Sequence, residues 1–144
     1  MRLFALLLSV LLCASAQLRA ESPWDRITVA PMKTSIYVGS VKLTTGTFER
    51  QGSTLSTTYD ASVVPWFFWG ENGHITITLT DADLASLAKG QTTEFKGDAT
   101  NHKNKPRTVT GRAQPADAST GKIKVRVMAD GIELIFNGTY RLGS

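Results

Sequence analysis

The chain of 144 residues contains one cysteine, Cys13, and two histidines, His74 and His102. Cys13 lies in an apolar N-terminal stretch, so the chain after it has neither a disulfide nor a thiol nucleophile and must be held by its core. No Gly-x-Ser-x-Gly, His-x-x-x-His or paired-carboxylate pattern occurs, and the two histidines belong to separate turns. These absences point away from nucleophilic, metal-assisted and paired-acid catalysis. The expectation is no catalytic residue, no metal site and no cofactor. There is no apolar run after residue 12 long enough to span a bilayer, and no nucleic-acid-binding motif.

The first residues read as a leader. Met1-Arg2 precedes the apolar run 3–12, and Ala14-Ser15-Ala16 is a small-x-small cleavage pattern, with Ala20 as a second position. Leu12 is too large to precede a lipidated cysteine. The expected organisation is a bacterial-type signal peptide over residues 1–20 and one domain over 21–144, exported to the periplasm or secreted. Charge is unevenly spread: residues 21–100 carry six basic and nine acidic side chains, and residues 101–144 carry eight basic and three acidic. A one-sided basic surface of this kind attracts anions more than a mildly basic total does.

The rest is dominated by short β-prone runs. Residues 26–30 lie between Pro23 and Pro31, which confines them to an edge strand. Residues 34–50, broken by Gly39 and Gly46, form one bent strand or two short ones, and residues 54–64 form a Thr- and Ser-rich strand ended by Pro65. Thr80-Asp81-Ala82-Asp83 is a capping box for a helix of about residues 81–89, with Leu84 and Leu87 on one face and Gly90 after its end. Residues 92–100 and 107–113 alternate, with Phe95, Gly97, Ala99, Val109, Gly111 and Ala113 inward. Asp130-Gly131 forms a two-residue turn that sets Ala129 opposite Ile132, Val127 opposite Leu134, Val125 opposite Phe136 and Ile123 opposite Gly138. The fold class is all-β: an antiparallel sandwich or partly closed barrel of seven or eight strands with one short helix.

Residues 63–80 carry two of the three tryptophans and two of the six phenylalanines, as Trp66-Phe67-Phe68-Trp69. Asn72-Gly73 predicts a hairpin with Glu71 opposite His74 and Phe68 opposite Ile77. In that register Trp66 and Phe68 fill the room left by inward glycines and alanines. Phe67 and Trp69 share the other face with Glu71 and His74, either covered by the Leu84/Leu87 helix or by Trp24, or presented as a contact surface.

The function expected is a non-enzymatic binding or interaction module of the cell envelope, with Phe67, Trp69, Glu71 and His74 contacting a lipid, a glycan or an envelope protein. The exposed row Lys122, Lys124 and Arg126 is a candidate for an anionic partner, or a solvated wall. An unfilled interior instead makes the domain a carrier of a small apolar ligand. A hydrolase or metal-dependent enzyme using His74, Glu71 or His102 is the remaining alternative.

Overall fold

A computed structural model describes residues 23–66 and 69–143. The leader, Phe67 and Phe68 therefore lie outside the described residues. A 3-10 turn at Pro23–Asp25 leads into β1 (Arg26–Val29), β2 (Met32–Ile36), β3 (Gly39–Thr45), β4 (Phe48–Gln51), β5 (Thr54–Val64) and β6 (Glu71–Thr78). Then come α1 (Asp81–Ala88), β7 (Thr93–Asn101), β8 (Pro106–Pro115), β9 (Thr120–Ala129) and β10 (Ile132–Leu142).

All pairings are antiparallel, and eight strands close a ring in the order β5, β4, β1, β10, β9, β8, β7, β6 and back to β5. The architecture is a closed barrel rather than a sandwich. The two further strands extend the wall: β3 pairs with the second half of β5 where β4 pairs with the first, and β2 pairs with β3. Gly46-Thr47 and Ala30-Pro31 mark the breaks between these segments. β1 is not an edge strand, because it is paired on both sides, to β4 and β10. The edge falls to β2, beyond Pro31, which lies beside β10 with Met32 against Gly138 and has no ladder to it.

The terminal hairpin has the register expected from its turn, Ala129 opposite Ile132 through Ile123 opposite Gly138. Asp130 and Gly131 both take the positive φ of that turn, 51° and 79°. The helix is also as read. Thr80 Oγ1 accepts from the Asp83 N–H and Asp83 Oδ2 accepts from the Thr80 N–H, while Gly90 follows the end with φ 78°. Its buried Leu84 and Leu87 close one end of the barrel beside Leu79 and Trp24.

The Asn72-Gly73 turn does not form. Both residues lie inside β6, with Asn72 opposite Asp60 and Gly73 opposite Tyr59 on β5, and Gly73 also opposite Asn101 on β7. The reversal lies earlier, between the end of β5 at Val64 and the start of β6 at Glu71. A glycine is needed at 73 for close approach rather than for positive φ: a Cβ there would overlap the Thr100 carbonyl oxygen. Glu71 and His74 consequently point to opposite faces and do not pair.

Trp66 is not an interior filler either; it is 40% exposed. The space over the small inward residues is taken by rings and a thioether from neighbouring strands. A Cβ at Gly111 would meet the Phe95 ring, one at Gly121 the Tyr140 ring, and one at Gly138 Met32. With Phe48, Leu55, Val109 and Phe136 these leave two interior cavities of about 40 Å³ each. The outer wall is polar, with Lys96, Asp98, Thr108, Arg112, Lys122 and Lys124 exposed. That is the inverse of a barrel whose wall faces lipid. Gly111→Val should therefore cost about 1–3 kcal/mol through overpacking against Phe95; denaturant unfolding that leaves the midpoint unchanged would contradict this account of the interior.

Candidate functional site

The two ends of the barrel differ. At the helix end, α1 and the Pro23–Asp25 turn cap the core, and Trp24 lies 6.2 Å from Tyr140 between ring centroids. At the other end four connections emerge: residues 37–38, 65–70, 102–105 and 130–131. The exposed large apolar side chains gather there. Tyr37 and Val38 form the first connection, Val64 ends β5 ahead of the second, Trp66 and Trp69 belong to the second, and Ile132 opens β10 after the fourth, with Met128 and Ile135 on the adjoining wall.

Hydrogen bonds link the connections in sequence around the rim. Trp66 Nε1 donates to the Val38 carbonyl at 3.1 Å, and the Trp66 and Trp69 rings stack 5.5 Å apart at 29°. The His102 N–H donates to the Asn72 carbonyl at 2.8 Å, joining the third connection to the start of β6, just past the second. Asn101 shapes the third connection, since its Oδ1 accepts from the Lys103 and Lys105 N–H groups and its Nδ2 donates to Glu71. Arg107 then reaches the fourth.

Arg107 closes this end from inside. It is 8% exposed, and its Nε donates to Glu71 Oε1 at 3.1 Å while its Nη1 donates to Asp130 Oδ1 at 3.1 Å. Nη2 adds longer contacts to the second oxygen of each carboxylate, both 3.4 Å. Two forked carboxylate pairs match the planar guanidinium. They raise the Arg107 pKa, first through the Glu71 hydrogen bonds, and the hydrogen bonds from Arg107 hold the Asp130 carboxyl below the usual range. With both carboxylates engaged, Arg107 is a structural clamp rather than a free anion receptor. Tyr59 lies beneath it, lining one interior cavity together with Glu71 and Arg107. Its hydroxyl has no hydrogen-bond partner among the described residues, and burial, then the Glu71 charge, pushes its pKa up to about 12.

The structure separates the candidate residues. Trp69 is 55% exposed on the aromatic end, and neither the helix nor Trp24 covers it, because both lie at the opposite end. Glu71 turns inward to Arg107 and is part of the clamp, not a surface contact. His74 is exposed on the outer face of β6, and Phe67 lies outside the described residues. Lys122 and Lys124 are exposed on the side wall, away from the rim, and Arg126 is exposed nearer to it, opposite Ile135. Lys124 and Arg126 border a groove of about 460 Å³ with Lys96 and Arg112, where Glu94 bonds Arg112 at 3.2 Å. Arg126 is bonded to Glu133 at 2.9 Å.

Sequence reasoning missed Tyr37, Val38 and Ile132, and it missed Arg107 as a clamp. The signal for Arg107 was parity: on β8 it shares the inward face with Val109, Gly111 and Ala113. Among the described residues no group of three or more His, Cys, Asp and Glu is placed to hold a metal ion.

Two outcomes follow from the clamp. Arg107→Met should cost about 3 kcal/mol, the low end for breaking a buried pair because Glu71 keeps some solvent contact, and adding Glu71→Leu should recover much of it. The Tyr59 pKa is raised in the fold, so its contribution is complete below the unfolded value of about 10 and is lost as pH rises through about 12. Urea unfolding between those limits should show stability falling, less steeply in Tyr59→Phe; an unaltered slope would contradict burial of that hydroxyl. No family model, curated protein or solved structure matches this chain.

Proposed function

We propose that the protein is an exported, non-enzymatic binding module of the cell envelope, and that the aromatic end of the barrel is its contact surface. The observation that carries this is polarity along the barrel axis. Exposed Tyr37, Val38, Trp66, Trp69 and Ile132 collect at one end, while the other end is capped by a helix with its leucines buried. Contiguous exposed apolar surface marks interaction sites, and Trp and Tyr are favoured where one side of a ring is apolar and the other wet. The patch is also pre-organised. The Trp66 to Val38 bond and the Trp66–Trp69 stack hold two connections together, so less ordering cost accompanies binding.

The carrier reading is supported less well. Interior cavities of about 40 Å³ are far below the roughly 300–1,000 Å³ of small-molecule pockets. The leader pattern at residues 1–20 supports export.

The test is a hydrogen-exchange footprint of the protein in solubilised envelope from its producing cells. Protection is expected at Tyr37, Val38, Trp69 and Ile132, with the side wall unchanged. Protection confined to the groove of Lys96, Arg112, Lys124 and Arg126 would overturn the proposal.

A further inference from the structure

The rim carries information about its partner in the charges around it. Lys103 and Lys105 stand exposed in the third connection, beside the base of the aromatic one through the His102 to Asn72 bond. Below Tyr37 and Val38, Lys33 and Lys42 face each other across β2 and β3 on the outer wall. Most opposing charge there is already paired. Glu71 and Asp130 are both engaged by Arg107, Glu133 next to Ile132 is bonded to Arg126, and Asp60 lies on the outer wall opposite Asn72. Lys103 and Lys105 thus stand at the rim beside the aromatic patch, and Lys33 and Lys42 add positive charge lower on the wall.

We infer that this end docks on the surface of an anionic lipid bilayer, with Tyr37, Val38, Trp66 and Trp69 entering the headgroup layer and Lys103 and Lys105 meeting lipid phosphates. The inference rests on the rim being the contact surface and names the partner. Tryptophan and tyrosine sit at the level of lipid headgroups, and lysines beside such a patch add attraction to anionic lipid. Val38 and Val64 are also exposed at this end and add apolar area to it. The rim also lies at the end of the barrel axis, where several connections can meet a flat surface together. The larger surface concavities, of about 460 and 440 Å³, are lined by other residues. The polar outer wall limits entry to the rim, so contact is peripheral and reversible.

The test uses protein recovered from its producing cells, with its N-terminus determined so that any retained leader is known. Co-sedimentation and tryptophan emission are read with vesicles of phosphatidylcholine alone and with vesicles of equal parts phosphatidylcholine and phosphatidylglycerol. Binding with a blue shift is expected on the mixed vesicles, tighter by about tenfold or more than on phosphatidylcholine and weakened by salt. Tyr37→Ser with Trp69→Ser should weaken it by a similar factor on mixed vesicles, as should Lys103→Glu with Lys105→Glu. Lys122→Glu with Lys124→Glu, on the side wall, should leave it unchanged, and circular dichroism checks that every variant folds. Equal or absent binding to the two vesicle types overturns the inference, as does binding lost in the side-wall variant alone. If vesicles fail while the envelope footprint still protects the rim, the partner is a protein or glycan and only the lipid assignment falls. If both fail, the rim is not the contact surface.

Discussion

Arg107 is the constraint on which the aromatic end depends. Its guanidinium stands where the apolar interior of the barrel meets the solvent, and it holds Glu71 at the start of β6 and Asp130 in the β9–β10 turn. Both carboxylates would repel one another without it. With it, strands from opposite parts of the ring are fixed at one end, and the connections between them are held relative to each other. The interior can then stay apolar up to this layer. Buried ion pairs are weak sources of net stability, yet removing one partner is costly, so such a clamp serves arrangement more than strength.

The barrel beneath is filled by exchange between strands. Small positions on β8, β9 and β10 are covered by Phe95 and Tyr140 from the paired strands and by Met32 from β2, which lies beside β10. This leaves the interior nearly full and transfers the recognition problem to the surface. At the helix end the surface is closed by Leu84 and Leu87 turned inward. At the other end the aromatic residues turn outward, and one fold thereby presents two chemically distinct poles.

Local signals in the sequence were reliable where the structure that answers them is also local. The capping box of α1 and the Asp130-Gly131 turn involve residues within a few positions of one another, and both stand as read. Asn72-Gly73 carries an equally strong local signal, but it is overridden by pairing with β5 and β7 on either side, where Gly73 is required for backbone approach. That error moved the aromatic run from a connection into a strand and placed Trp66 inside. Ring closure and the Arg107 clamp join residues far apart in sequence, Glu71 to Arg107 to Asp130, and only strand parity hinted at them. The contact surface was half legible: Trp69 stood out by composition, whereas Tyr37, Val38 and Ile132 join it only once four connections are brought to one end.

The three tryptophans provide the most direct measurement of whether the aromatic end is the part of the molecule that meets a membrane. Trp24 is buried at the helix end, and Trp66 and Trp69 stand at the other. Emission is quenched by vesicles of anionic lipid with brominated chains only for rings that enter the bilayer. The account predicts strong quenching in the unaltered protein and none in Trp66→Phe with Trp69→Phe, in which Trp24 is the emitter that remains. Quenching that persists in that variant, or is absent from the unaltered protein, would contradict it.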